Sequence, residues 1–91
     1  MNNFVTGYHD VVGTCYQGKI DTSYHRLVET FGEPEYLGDE KVQVQWAIKF
    51  EDGTLATIYD WKEGKRASDV TSWHIGGHTE AAVVSVIGEI W

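Results

Sequence analysis

The chain has 91 residues, with fourteen Asp and Glu against seven Lys and Arg and a single cysteine. That length makes one domain with a thin margin of buried surface, and the lone Cys15 excludes an internal disulfide and fits a reducing compartment. A net charge of −7 argues against nucleic acid or an anionic membrane as a direct partner, because phosphate contacts need lysine and arginine.

No apolar run approaches the ~18 residues of a membrane-spanning helix, and Met1-Asn2-Asn3-Phe4 lacks the basic-then-apolar start of a signal peptide. A cytoplasmic protein is expected. Four Trp, five Tyr and three Phe supply much of the apolar area that a small core needs.

Residues 1–10 carry weak signals. Val11 to Ile20 mix β-branched residues with Gly13 and Gly18 and predict a strand, bent or bulged at a glycine. Asp21-Thr22-Ser23 then offers three successive N-cap residues. Behind them Tyr24, Leu27, Val28 and Phe31 recur at i, i+3, i+4 and i+7, one stripe of a helix. Gly32 suits its C-terminal turn and Pro34 forbids continuation. A helix over 22–31 is too short to stand alone, so it must lie on a sheet. Glu35 to Glu40 forms an acidic, glycine-containing connection.

Residues 41–61 carry the clearest pattern. Val42, Val44, Trp46, Ile48 and Phe50 alternate with Gln43, Gln45, Ala47 and Lys49, as in a strand with one buried face. Asp52-Gly53 favours a two-residue hairpin turn. That turn would set Phe50 opposite Leu55, Ile48 opposite Thr57, Trp46 opposite Tyr59 and Val44 opposite Trp61. The Trp46, Ile48 and Phe50 face is the natural seat for the first helix.

Lys62 to Ser72, with Gly64 and the bases Lys62, Lys65 and Arg66, predicts a flexible loop. Thr71 to Ile75 predicts a third antiparallel strand beside Thr54–Trp61. After Gly76-Gly77-His78, the stripe Ala82, Val83, Val86, Ile87 and Ile90 predicts a helix over 79–87, with Thr79 as cap and Gly88 as terminator. The β-branched residues among them favour a strand instead. Glycines followed by a cap and an acid tip the reading to helix. The expected fold is a single α+β domain, 1–91. It comprises an antiparallel sheet of three to four strands built on the 41–61 hairpin, with both helices on one face.

No catalytic constellation is visible, and neither enzyme activity nor a cofactor is expected. The histidines His9, His25, His74 and His78 fall in no recognised zinc spacing. Cys15 reads as a buried or half-buried structural thiol. Asp60 and Glu63 flank Trp61, but strand geometry predicts a solvated sheet face for Asp60. Two stretches are candidate binding sites. The acids Glu29, Glu33, Glu35, Asp39 and Glu40, with Glu51 and Asp52, suit a basic protein surface. In the turn Trp73-His74-Ile75-Gly76-Gly77-His78-Thr79, glycines before a helix let backbone N–H groups approach an anion. There Trp73 can stack on a base, and His74 or His78 can donate to phosphate.

Phe31-Gly32-Glu33-Pro34, Trp46, Phe50-Glu51-Asp52-Gly53, Ala56-Thr57-Ile58-Tyr59-Asp60-Trp61-Lys62 and Trp73-His74-Ile75-Gly76-Gly77 resemble a group of small bacteriophage-encoded accessory proteins. The resemblance spans roughly residues 13–87. It implies a phage protein in the cytoplasm of an infected bacterium. Small, acidic, non-catalytic phage proteins often bind and inhibit a host machine, as anti-CRISPR proteins do. The leading expectation is therefore an inhibitor or modulator of a host protein with a basic surface. The alternatives are a nucleotide-sequestering module at Trp73–Thr79, or a self-assembling phage component; a homodimer is compatible with each.

Overall fold

The computed structural model describes residues 4–7 and 13–90. His9, Val11 and the first three residues lie outside them. In chain order the elements are β1 (Phe4–Thr6), β2 (Cys15–Asp21), α1 (Tyr24–Phe31), β3 (Glu35–Tyr36), β4 (Val44–Phe50), β5 (Leu55–Tyr59), β6 (Ser72–Gly77) and α2 (Ala81–Ile90). The fold is α+β: an antiparallel sheet in the order β1-β4-β5-β6-β2, with β3 also paired to β4. It has more strands than the sequence pattern suggests, because β1 and the two-residue β3 are too short to show a period.

The expected alternation holds in β4, where Val44, Trp46, Ile48 and Phe50 are all buried. The hairpin turn does not follow expectation. Its loop has three residues, Glu51-Asp52-Gly53: Phe50 N–H donates to Thr54 O at 2.8 Å, and Gly53 N–H to Phe50 O at 2.9 Å. Gly53 alone takes a positive φ, 91°, while the Asp52 carboxylate accepts the Thr54 amide at 2.9 Å. Three-residue hairpin loops ending on such a glycine are the next commonest after two-residue ones.

One added loop residue shifts every cross-strand partner of β5. Ile48 pairs with Ala56, Ala47 with Thr57, Trp46 with Ile58 and Gln45 with Tyr59. Ala56 and Ile58 therefore enter the core. Leu55, Thr57 and Tyr59, expected opposite the core residues of β4, lie on the other face of the sheet.

Both helices cover the Trp46 face. Ser23 caps α1, its hydroxyl accepting the Arg26 amide at 3.0 Å. Gly32 closes the helix at φ 86°, its amide bonded to Val28 O at 2.8 Å. Leu27 and Phe31 point into the core. Two tryptophans fasten the ends of α1. The Trp73 indole N–H donates to Thr22 O at 3.0 Å and that of Trp46 to Gly32 O at 2.7 Å. The two rings meet edge to face, 5.4 Å between centroids. Each indole thus buries a large ring while satisfying its one donor.

The second helix runs to Ile90, so Gly88 does not terminate it; Ala82, Val86 and Ile90 form its buried stripe. The Thr79 hydroxyl accepts the Ala81 amide at 3.2 Å. Glycines in the sheet let this helix sit close. A Cβ on Gly77 would lie 2.5 Å from that of Ala82, and one on Gly18 would lie 3.0 Å from Val83 Cγ2. The bulge expected in the second strand falls between Tyr16 and Gly18. The basic segment after Trp61 is partly ordered, with a 3₁₀ turn at Ala67–Asp69 and a fully buried Val70. No helix among the described residues is long and apolar enough to cross a membrane.

Candidate functional site

Because β5 is shifted, the sheet face away from the helices collects an aromatic cluster. Tyr16 in β2 lies 4.9 Å from the His74 ring of β6, and Tyr59 in β5 lies 5.6 Å from His74. Trp61, just past β5, is 6.3 Å from His74 with the rings 28° from parallel. Trp61 and Tyr16 are exposed, and His74 and Tyr59 are half-buried. Two ammonium groups overlie the Trp61 ring, Lys62 Nζ at 5.5 Å and Lys41 Nζ at 6.0 Å. Lys19 is the cross-strand neighbour of His74.

Beside these rings a cavity of about 270 Å³ is lined by Thr14, Cys15, Val42, Gln45, Thr57, Tyr59, Trp61 and Gly76. Cys15 is exposed rather than buried; it is the first residue of β2, the strand at the edge of the sheet. Burial, then the nearby Tyr16 and Cys15, push the Tyr59 phenol above its usual 10.0. Burial first, and then Lys19, hold His74 below its usual 6.5, with Glu63 opposing. The neutral imidazole is the form favoured beside these rings.

The Trp73–Thr79 stretch is divided by the sheet rather than gathered into a turn. Trp73 is fully buried in the core and offers no face to a base. Gly76 and Gly77 lie inside β6, where their missing side chains serve packing. A Cβ on Gly76 would lie 2.5 Å from Thr57 Oγ1. Alternation sends His74 and Gly76 to the aromatic face. His78 and Thr79 follow the strand and are exposed. Among the described residues no three of His, Cys, Asp and Glu form a metal-binding group.

The acids fall into separate groups. Glu29 lies on α1 beside His25, 3.5 Å away. Glu33 approaches Tyr36 Oη at 3.5 Å, and that phenol in turn shares a 3.1 Å bond with Tyr24. This bond, followed by burial and the negative groups nearby, pushes Tyr24 up to about 12. Glu35 sits in β3 at the sheet edge. Asp39 and Glu40 border a depression that also holds Lys41, Lys65 and Arg66, so their field is partly compensated.

Glu51 and Asp52 lie at the opposite end of β4, about 20 Å away along a seven-residue strand at ~3.3 Å per residue. There Phe50, Glu51, Asp52, Ser85, Gly88 and Glu89 line a groove of about 390 Å³ between the hairpin tip and α2. The lining contains no base. Glu51, Asp52 and Glu89 make no ion pair among the described residues. Glu89 joins this group only through tertiary structure.

Asp60 is buried, not solvated. Its carboxylate accepts the amides of Gln43 at 2.9 Å and Val44 at 3.0 Å, and the Gln43 side chain at 3.0 Å. It pins the start of β4.

Comparisons with protein-family models, curated proteins and solved structures find no match to this chain.

Proposed function

We propose that the protein acts by binding rather than catalysis, as a small phage-type inhibitor or modulator of a host protein. Its contact surface is centred on the acidic groove between the hairpin tip and α2. The observation that carries this reading is the convergence of Glu51, Asp52 and Glu89 on one concave surface without a lining base. Unpaired carboxylates around a groove attract a lysine or arginine over roughly one Debye length, about 8–10 Å. Inside the groove they can accept its hydrogen bonds.

The exposed Val84 lies one turn before Gly88 on α2, so an apolar contact adjoins the charged one. Of the sequence-level acids, Glu51 and Asp52 belong to this surface, while Glu29, Glu33, Glu35, Asp39 and Glu40 contribute the general negative field that speeds encounter.

Capture from bacterial host lysate followed by mass spectrometry identifies the partner, and calorimetry then compares variants. Glu51→Lys with Glu89→Lys should weaken binding at least about tenfold, ~1.4 kcal/mol. Added salt should weaken the unmodified protein in the same direction. An undiminished affinity in the double variant, with no salt dependence, refutes docking through this groove.

A further inference from the structure

The cluster on the helix-free face lies on the other side of the sheet from the acidic groove and calls for its own account. From its geometry we infer a binding site for a single mononucleotide, with the base against Trp61 at the cavity and the phosphate held by Lys41 and Lys62.

Three observations converge on this. The first is a stacking surface: Trp61 is 38 % exposed, nearly parallel to His74 and met edge-on by Tyr59 at 6.3 Å. An incoming base takes the place over its ring that the Lys41 and Lys62 ammonium groups hold in the free protein. Base-on-aromatic stacking is a recurrent source of affinity for nucleobases, since every base has a π-face.

The second is an available polar edge. Gln45, Thr57 and Tyr59 all line the cavity, and their side chains have no hydrogen-bond partner among the described residues. None of their polar atoms is sealed from solvent. A glutamine amide offers two donors and an acceptor, the pattern that reads a base edge in paired contacts. A volume of about 270 Å³ lies just below the usual range of ligand pockets, which leaves room for one base and not for a larger cofactor.

The third is charge. Lys19, Lys41 and Lys62 stand around the Trp61–His74 pair, opposed by Glu63 near His74 and by Glu35, the cross-strand neighbour of Gln45. These are three of the seven bases in a chain of net charge −7. Such a local positive spot matches one phosphate group. A longer polyanion would run onto the acidic remainder of the surface, so the chemistry favours a free mononucleotide over a nucleic-acid strand.

The test titrates the full chain with each of the four ribonucleoside 5′-monophosphates. Binding is followed through the Trp61 indole N–H resonance and by calorimetry. The Trp46 and Trp73 indoles, bonded to Gly32 O and Thr22 O, serve as internal reporters of an intact core. At least one mononucleotide should shift Trp61 and His74 while leaving Trp46 and Trp73 in place, with a Kd below about 1 mM, as one stacked base and one phosphate contact supply. Trp61→Ala should weaken that binding at least tenfold, and Trp61→Phe should retain most of it. Lys41→Gln with Lys62→Gln should reduce the nucleotide to the affinity of its nucleoside, and Gln45→Leu should alter the preference among the four bases.

The inference is overturned if none of the four shifts Trp61, or if inorganic phosphate alone reproduces the shift. It is equally overturned if a ten-residue oligonucleotide binds where no mononucleotide does, or if Trp61→Ala binds undiminished with unchanged core indole signals. These outcomes are independent of partner docking at Glu51 and Glu89.

Discussion

Gly76 and Thr57 are cross-strand partners in the middle of the sheet, and the space between them is already full. A Cβ on Gly76 would sit 2.5 Å from Thr57 Oγ1, 3.4 Å from Cys15 O and 3.5 Å from Tyr59 Cε1. The first of these is well inside van der Waals contact. In the open, replacing a strand glycine by alanine gains about 0.5–1 kcal/mol through reduced unfolded-chain freedom. Here overpacking of a close-packed site costs about 1–3 kcal/mol, so Gly76→Ala should destabilise by a net ~1–2 kcal/mol.

The clash is with a hydroxyl that can be removed. Thr57→Ala deletes it, and in that background Gly76→Ala should cost little, giving a compensating coupling of at least ~0.5 kcal/mol. Urea denaturation of the four proteins, with m held common, measures the cycle. A Gly76→Ala protein as stable as the parent, or additive effects in the double variant, would refute this register of β5 against β6. With it would go the placement of Tyr59, Trp61 and His74 on one face.

Trp46→Ala should cost about 3–5 kcal/mol, a large share of the stability of a domain this size; an unchanged melting temperature would contradict its burial beneath α1. Gly88→Ala should stabilise by about 0.5–1 kcal/mol, read as a raised urea midpoint, because a Cβ there meets nothing within 4 Å and the residue lies inside α2. For His74 the folded protein resists protonation more than the unfolded chain, its value being held below 6.5. Its contribution to stability is therefore present above pH 6.5 and lost as pH falls from there through the folded value. His74→Gln should flatten the stability profile across that window, and an unaltered slope counts against the assignment.

Local chemistry made α1 legible. Ser23, the Tyr24–Phe31 stripe, Gly32 and Pro34 all point the same way, and the structure agrees with each. The alternation of β4 was equally clear, since moving Lys49 inward is costly in any arrangement. The second hairpin strand was set in the wrong register, because its two faces are both apolar: Leu55, Tyr59 and Trp61 on one, Ala56 and Ile58 on the other. With no hydrophobic contrast, the register rested on turn chemistry alone, and Asp52-Gly53 serves two-residue and three-residue loops alike. That single residue hid the aromatic cluster, by assigning Tyr59 and Trp61 to the core. The groove at Glu89 was hidden for another reason. It joins residues nearly forty positions apart, a distance that no local pattern spans.

Trp61 stands between two anchors. On one side the Asp60 carboxylate grips the amides of Gln43 and Val44, and on the other the Lys62 amide reaches Lys41 O at 2.8 Å. Lys62 holds φ at 51°, a conformation that a lysine keeps only when its surroundings fix it. Fixing one residue's backbone costs about 1–2 kcal/mol of entropy, and for the Trp61 segment that cost is met during folding rather than at binding. The indole is therefore presented to any incoming molecule from a frame that is already set, so an encounter has only the side-chain rotation left to arrest.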